Sequence, residues 1–313
     1  MTEPVACIGA GLIGRAWAIV FARAGHEVRL WDAQPDAPAD ARAFAARMLP
    51  ELERLGLIEG AAQTALARII PVATLDEALD GALHVQESTF ERLDVKRDVF
   101  ARLDSLAGAD TVLASSSSAL LPSAISEGLA GRHRCMVNHP INPAYLVPAA
   151  ELVPAPWTDH RLIERTASML RAAGMRPIVM RHEIDGFVMN RLQGALLHEA
   201  FRLVEAGYAS PEDVDVGLRE GLALRWSFIG PFETIDLNAP GGVRDYVERY
   251  AGIYTDMAGQ PAADWGGEVL DRIEAERRAA LPEDALAERQ AWRDRRLMAL
   301  AAHKARAAKT IGE

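Results

Sequence analysis

The chain has 313 residues, of which half are hydrophobic and a quarter charged, and it carries a net charge of −10. This much apolar sequence excludes a mainly disordered protein, and the length is typical of about two domains. The acidic balance speaks against nucleic-acid binding, which normally requires a basic face. The N-terminus carries Glu3 where a secretory signal has positive charge, and the longest early apolar run, 16–22, is too short for a membrane span of about 20 residues. We therefore expect a cytoplasmic protein with no membrane or nucleic-acid partner.

The first half of the sequence alternates short β-rich runs with helical patterns. Strands are predicted over 5–8, 28–31, 83–86, 111–114, 134–137 and 177–180. A helical hairpin, broken near Gly56, is predicted over 38–68. Strands separated by helices indicate βαβ units, so the predicted fold is a doubly wound (Rossmann) parallel sheet of the α/β class. Such a sheet binds ligands at the carboxyl ends of its strands.

The second half has helical patterns and few strand signals. A long helix is predicted over 188–206, and Ser210-Pro211 is typical of the start of the next one. Further helices are predicted over 265–277 and 283–308. We therefore divide the chain into a doubly wound domain over 1–184 and a smaller all-helical domain over 185–313.

Two cysteines are too few for a disulfide framework or a cysteine-rich metal site. Cys7 and Cys135 both lie inside apolar runs. We expect them to be buried free thiols, which suits a reducing compartment.

A glycine motif, Gly9-Ala10-Gly11-Leu12-Ile13-Gly14, follows the first predicted strand and opens a helix. In this pattern the glycines permit the tight turn, the approach of a pyrophosphate and close packing of helix on strand. Asp32 ends the second strand, where a carboxylate accepts hydrogen bonds from ribose hydroxyls and repels a 2′-phosphate. The sequence therefore predicts NAD rather than NADP. Its predicted contacts are Gly9, Gly11, Leu12, Ile13, Gly14 and Asp32.

Polar residues that could carry chemistry follow two of the later strands. Ser115–Ser118 end one strand, His139 follows another, and Glu151 comes twelve residues after His139. Oxidation of an alcohol needs a base for the hydroxyl proton, and histidine has a suitable pKa. A carboxylate on the other ring nitrogen would fix the tautomer. Spacing alone does not single out His139 among eight histidines, because an isolated histidine is more often structural.

Several motifs resemble the L-3-hydroxyacyl-CoA dehydrogenase family. They are the glycine motif at 9–14, Val-Asn-His-Pro-Ile-Asn-Pro at 137–143, Glu-Leu-Val at 151–153 and Asp-Gly-Phe-Val-Met-Asn-Arg at 185–191. The segments at 115–121, 225–233 and 236–239 resemble more closely the λ-crystallin/L-gulonate 3-dehydrogenase branch. The resemblance extends from about residue 4 to about residue 260, and the last fifty residues carry little that resembles a known motif.

The resemblance implies catalytic roles residue by residue. His139 would be the general acid/base and Glu151 its partner. Ser118 and Asn190 would hydrogen-bond the reacting oxygen and hold the nicotinamide face. A register slipped by one residue would select Ser117 in place of Ser118.

The resemblance also implies further contacts to NAD. The family's positions fall on Glu91, Lys96, Asn142 and again Ser118. Lys96 is the only lysine before residue 304, which favours a functional role. The alternative for Lys96 is a solvated charge on a helix.

The activity that the resemblance implies is NAD-dependent oxidation of an L-3-hydroxy acid to the 3-oxo acid. We favour a free acid such as L-gulonate or L-carnitine. The hairpin segment 36–68 has five acids, four arginines and no lysine, whereas acyl-CoA enzymes of the family place a lysine-bearing hairpin there. A 3-hydroxyacyl-CoA dehydrogenase is the first alternative. A non-catalytic, crystallin-like NAD-binding protein is the second, and the presence of His139 and Glu151 disfavours it.

A free acid needs a cationic partner for its carboxylate, and we nominate Arg225. A structural salt bridge is an equally good explanation of that arginine. The resemblance further implies that the helical domain closes one wall of the substrate cleft and forms a homodimer.

Overall fold

The computed structural model describes residues 3–227, 229–258 and 281–312, together with positions 268, 271, 275, 278 and 279. The chain divides into two compact units. Unit 1 runs to Asn190 and also includes Ala291–Thr310, and unit 2 takes Arg191–Gln290. The helix predicted over 265–277 lies outside the described residues except at 268, 271 and 275.

Unit 1 contains one sheet of eight strands. These are β1 (Val5–Ile8), β2 (Val28–Trp31), β3 (Ile69–Pro71), β4 (His84–Glu87), β5 (Val112–Ser115), β6 (Cys135–Pro140), β7 (Ala149–Pro154) and β8 (Arg176–Val179). Their order across the sheet is β3-β2-β1-β4-β5-β6-β7-β8. The first six strands are parallel, β7 is antiparallel to β6, and β8 is parallel to β7. The predicted doubly wound sheet is confirmed, with two strands, β3 and β7, that the sequence analysis missed.

Helices cover both faces of this sheet. They are α1 (Leu12–Arg23), α2 (Ala37–Arg54), α3 (Ala62–Ala67), α4 (Leu75–Leu79), α5 (Leu93–Leu106), α6 (Pro122–Ser126) and α7 (His160–Ala172). Every residue of β1, β4, β5 and β6 is buried, as expected for parallel strands with helices on both sides. The hairpin predicted over 38–68 is present as α2 and α3.

Alternate residues of each strand enter two separate cores. Cys7 packs in the cluster that contains Trp17 and Phe21 of α1. Its neighbour Ile8 packs in the cluster that contains Phe100 of α5. Both cysteines are buried and free, as predicted.

Unit 2 is helical in its described residues. The remaining α-helices among the described residues are α8 (Met189–Glu205), which begins in unit 1, α9 (Pro211–Val216), α10 (Ala223–Trp226), α11 (Pro231–Leu237), α12 (Gly242–Ala258) and α13 (Leu286–Ile311). A π-helical turn at Gly217–Leu222 lies between α9 and α10. Ser210 caps α9 through the backbone N–H of Asp213, as the sequence predicts. None of the helices in the described part of the chain is long and apolar enough to cross a bilayer.

Candidate active site

His139 and Glu151 face each other across two neighbouring strands. They are register partners in the antiparallel pairing of β6 with β7, which places their side chains on the same face of the sheet. His139 Nδ1 lies 2.7 Å from Glu151 Oε2, and both side chains are buried. Because an ionised carboxylate only accepts hydrogen bonds, Nδ1 carries the proton and Nε2 keeps a lone pair. The structure thus brings the two predicted residues together, and their catalytic roles stay a prediction.

The second carboxylate oxygen of Glu151 binds the start of α8. Oε1 accepts hydrogen bonds from the backbone N–H groups of Val188 at 2.6 Å and Met189 at 2.8 Å. Burial acts to raise the pKa of Glu151, but the hydrogen bonds from His139, Met189 and Val188 outweigh it and hold that pKa below its usual range. Glu151 is therefore ionised at neutral pH, and its charge lies at the positive end of the α8 dipole.

Phe187 packs beside the histidine ring. Its ring centroid lies 5.6 Å from that of His139, and its side chain is fully buried. Its backbone φ is 50°, in the left-handed region that non-glycine residues rarely adopt. Sequence reasoning gave Phe187 no role. The turn at Phe187 immediately precedes the two N–H groups that bind Glu151.

Ser118 lies in the loop after β5, which Glu91 holds in place. Glu91 Oε1 accepts hydrogen bonds from Ser117 Oγ at 2.6 Å and from the backbone N–H groups of Ser118 and Ala119 at 2.9 and 3.0 Å. Asn190 Nδ2 donates to the Ser118 carbonyl at 2.7 Å. Ser117 is buried and committed to Glu91, whereas Ser118 is exposed. Of these two serines, Ser118 is therefore the better placed to meet a ligand.

Lys96 is buried in an ion-pair cluster. Its ammonium lies 3.0 Å from Glu87 Oε1 and 3.5 Å from Glu91 Oε2, and Lys96 is 1% exposed. Glu87, fully buried, also accepts a hydrogen bond from Ser115 Oγ at 2.6 Å. The alternative of a solvated helix charge is therefore wrong for Lys96, and its contact with NAD stays a prediction. The sequence analysis missed Glu87, whose signal was a carboxylate directly after the strand predicted over 83–86.

The turn between β1 and α1 has the shape that a pyrophosphate requires. Gly9 has a φ of 94°, and a Cβ at Gly14 would lie 1.7 Å from the Gly9 carbonyl oxygen. A Cβ at Gly11 would meet nothing within 4 Å, so open space lies over the turn. Leu12 and Ile13 form the first turn of α1, which has no acidic residue and no side-chain cap among the described residues. Its N–H groups are thus available to an anion.

Two further side chains fit NAD. Asp32 Oδ2 accepts a hydrogen bond from the Ala10 N–H at 2.7 Å and Oδ1 one from the Gln34 N–H at 2.8 Å. Each oxygen keeps a lone pair for a ribose hydroxyl. Asn142 Oδ1 is buried without a hydrogen-bond partner among the described residues. An orphaned buried acceptor of this kind is typical of a site that receives a donor from a ligand.

Arg225 lies at the end of α10 in unit 2. Its Nε is buried, and it has no hydrogen-bond partner in the part of the chain that the structure describes. Phe228, in the same sequence motif, lies outside the described residues. The nomination of Arg225 as the carboxylate partner stays a prediction.

The fold and the site together define a class of protein. A glycine turn after the first strand of a doubly wound sheet, followed by an acid after the second, binds a dinucleotide. A histidine held in one tautomer by a buried carboxylate leaves its other ring nitrogen free to take a proton from an alcohol. These features are those of a nicotinamide-dependent dehydrogenase.

Comparison with known proteins assigns the family. The model of the 3-hydroxyacyl-CoA dehydrogenase NAD binding domain matches residues 4–184, and that of the C-terminal domain matches 186–274. The Lambda-crystallin homolog of Bos taurus is 44% identical over 303 residues, which covers 95% of this chain and 94% of the relative. L-carnitine dehydrogenase of Pseudomonas sp is 36% identical over 297 residues, with coverage of 94% and 92%. The chain belongs to the 3-hydroxyacyl-CoA dehydrogenase family, and it is an NAD-dependent oxidoreductase of 3-hydroxy acids.

Solved structures agree with this assignment. The NAD-dependent 5-formyl-3-hydroxy-2-methylpyridine 4-carboxylic acid 5-dehydrogenase superposes with a TM-score of 0.82 at 28% identity and covers 96% of this chain and 97% of its own. The (S)-3-hydroxybutyryl-CoA dehydrogenase of Ralstonia eutropha gives a TM-score of 0.67 at 26% identity. The match covers 84% of this chain and 91% of that enzyme.

Proposed function

We propose that this protein oxidises the 3-hydroxyl of a free L-3-hydroxy acid, gulonate-like or carnitine-like, to the 3-oxo acid. The observation that carries the proposal is the 2.7 Å contact of His139 with Glu151, which leaves Nε2 of the ring as the base. The exposed position of Ser118 and its bond from Asn190 support the same site.

The proposed roles use this geometry. Bound NAD supplies the acceptor for the hydride that leaves C3 of the substrate. His139 Nε2 takes the hydroxyl proton as the carbonyl forms, and Glu151 stabilises the imidazolium from the other ring nitrogen. Ser118 and Asn190 hold the reacting oxygen and the nicotinamide face. Proton transfer to a positioned base contributes about 10²–10⁴-fold to the rate.

Two observations support a free acid over a CoA ester. The relatives with high identity over nearly the whole chain include L-carnitine dehydrogenase, whose name denotes a free hydroxy acid substrate. The helices α2 and α3, with their flanks over 36–68, carry one net negative charge and no lysine, which does not favour the phosphates of CoA. In this proposal Arg225 binds the substrate's carboxylate.

The proposal includes a homodimer in the cytoplasm. Large apolar side chains are exposed in unit 2, namely Leu192, Leu224, Phe232 and Leu237, each more than 60% exposed. Large exposed apolar side chains of this kind support an interaction surface in unit 2. The buried free thiols of Cys7 and Cys135 suit a reducing compartment.

An initial-rate panel with NAD tests the substrate class. The substrates are L-gulonate, L-carnitine, and the matched pair L-3-hydroxybutyrate and 3-hydroxybutyryl-CoA, which differ only in the CoA group. We expect a higher kcat/KM for the free acids than for the CoA ester. In Arg225→Leu we expect the KM for the free acids to be higher than in wild type. A higher kcat/KM for the CoA ester would overturn the proposal, and an unchanged KM in the variant would remove Arg225 from the site.

A further inference from the structure

A serine at the end of β4 packs against the glycine turn. Ser88 directly follows β4, and its backbone N–H donates to the Ile8 carbonyl of β1 at 2.7 Å. A Cβ at Gly9 would lie 2.7 Å from the Ser88 carbonyl oxygen, and a Cβ at Gly14 would lie 3.6 Å from the Ser88 Cβ. Ser88 therefore touches the turn at which the pyrophosphate of a dinucleotide binds.

The Ser88 hydroxyl belongs to a chain of side-chain hydrogen bonds. Its Oγ lies 2.9 Å from the Oγ of Ser116, the residue that follows β5. Ser116 Oγ also lies 3.1 Å from Trp17 Nε1 of α1 and 2.7 Å from Gln86 Nε2 of β4. Trp17, Gln86 and Ser116 are buried, so the protein itself must satisfy their polar groups.

The orientation of the Gln86 amide is fixed by its neighbour on β6. Gln86 Nε2 lies 3.3 Å from the Asn138 carbonyl oxygen, and Gln86 Oε1 accepts a hydrogen bond from Asn138 Nδ2 at 2.8 Å. Because a carbonyl oxygen can only accept, a flipped amide would set two acceptors against each other. The nitrogen of the Gln86 amide is therefore the atom that faces Ser116, and it donates to the Ser116 hydroxyl.

These two donors determine the direction of donation along the chain. An indole N–H and an amide NH₂ only donate, so Trp17 and Gln86 occupy both lone pairs of Ser116 Oγ. The Ser116 proton then goes to Ser88 Oγ, the remaining partner of Ser116 Oγ among the described residues. Ser88 accepts that hydrogen bond and keeps its own O–H, for which the described part of the chain offers no acceptor.

Ser88 is therefore a hydrogen-bond donor whose direction is set by its neighbours. Hydrogen bonds in a chain polarise one another, so the two donors on Ser116 strengthen the Ser88 O–H as a donor. Ser88 is partly exposed and packs on the glycine turn. A pyrophosphate bound at that turn offers charged oxygen acceptors, with which a hydroxyl forms short and strong hydrogen bonds.

We propose that the Ser88 hydroxyl binds the pyrophosphate of NAD by donating a hydrogen bond to one of its oxygens. Trp17 and Gln86 are positioning residues in this proposal, because together they direct the Ser116 proton to Ser88 and so leave the Ser88 proton for the ligand. The role concerns the cofactor alone, and it holds whichever hydroxy acid is the substrate.

The first test measures the affinity of Ser88→Ala for three ligands by displacement of fluorescent NADH. NAD and ADP-ribose both carry the pyrophosphate, whereas adenosine has no phosphate. We expect Ser88→Ala to bind NAD and ADP-ribose about tenfold more weakly than wild type and adenosine equally well. Ser105→Ala, at an exposed serine that donates to the Arg102 carbonyl, is the matched control and should bind all three as wild type does. An equal loss for adenosine, a loss for NAD alone, or no loss would overturn the proposal.

The second test asks whether Trp17 acts through Ser88. Trp17→Phe removes one donor to Ser116, which can then accept a hydrogen bond from Ser88, so the Ser88 proton is drawn away from the ligand. We expect Trp17→Phe to weaken NAD binding severalfold in the wild-type background and to have no further effect in Ser88→Ala. Equal losses in both backgrounds would overturn the positioning role, because a purely structural effect does not depend on Ser88. If Trp17→Phe fails to fold, Gln86→Met, which removes the other donor, takes its place.

Discussion

Each carboxylate oxygen of Glu151 has its own partner. Oε2 binds the His139 ring, and Oε1 binds the Val188 and Met189 amides at the start of α8. A glutamine at this position keeps the shape but replaces one acceptor by an NH₂ donor. With the NH₂ toward the ring, the imidazole must take the other tautomer, in which Nδ1 accepts and Nε2 carries the proton. With the NH₂ toward α8, the Val188 and Met189 amides lose their acceptor. The substitution therefore costs either the base or the contact with the helix.

We expect His139→Asn to lower kcat by at least about 10²-fold, because the base for the hydroxyl proton is lost. Glu151→Gln should lose much of the same activity, because an amide NH₂ facing Nδ1 favours the tautomer in which Nε2 already carries a proton. The double variant should be only slightly worse than His139→Asn, because the two residues act as a unit. Steady-state kinetics with NAD affinity measured separately checks this, and additive losses would contradict the pairing.

Asp32→Ala should weaken NAD binding and raise the preference ratio of NADP to NAD. The substitution removes an acceptor for the ribose hydroxyls and a charge that repels a 2′-phosphate. Fluorescence titration with each dinucleotide measures both affinities. Asp36→Ala, at an exposed acid four residues further on, is the control and should bind both as wild type does. Unchanged affinities in Asp32→Ala would show that its carboxylate does not reach the ribose.

At the scale of elements, short β-rich runs separated by helical patterns predicted six strands. β3 was missed because it has three residues and ends in Pro71. β7 was missed because it follows Pro148 and carries Glu151 at its centre, so it does not resemble a buried strand. The register that pairs Glu151 with His139 depends on the antiparallel return of the chain. No local sequence pattern predicts the antiparallel pairing of β7 with β6. Only the family resemblance therefore indicated that Glu151 is the partner of His139.

The cluster of Lys96 and Glu87 joins α5 to the ends of β4 and β5, and it gives an element-scale prediction. Lys96→Met should lower the free energy of unfolding by about 3–5 kcal/mol, because it leaves a buried carboxylate without its counter-charge. Glu87→Gln in the same chain should restore part of the loss. Urea unfolding measures both, with Lys309→Met as an exposed control. Equal stability of Lys96→Met and the control would show that Glu87 is not left unpaired.

At the scale of the whole molecule, stability should depend on pH through His84, a residue with no proposed role in the reaction. Burial, the largest cause, lowers the pKa of His84 to about 4, and the charges of Arg165 and His26 act in the same direction against the bond to Gln86. Its pKa in the unfolded chain is about 6.5. His84 is therefore neutral when folded, and the unfolded chain binds its proton first as the pH falls.

The stability that a neutral His84 contributes is complete above about pH 6.5 and is lost as the pH falls toward 4. Over that window wild type should lose about 3 kcal/mol more than His84→Leu, which has no proton to bind. Urea unfolding at several pH values measures the difference. His160→Gln, at an exposed histidine, should keep the wild-type slope. Parallel curves for wild type and His84→Leu would contradict the assignment.

Because Glu151 binds both His139 and the backbone, the Val188 and Met189 amides can report the charge state of the histidine. When His139 gains a proton, the new positive charge draws on Oε2, and the electron density that Oε1 offers to the Val188 and Met189 amides falls. The NMR chemical shifts of these two amides and their rates of hydrogen–deuterium exchange therefore follow the charge state of His139. Two backbone amide signals thus give a continuous measure of the fraction of His139 that is protonated.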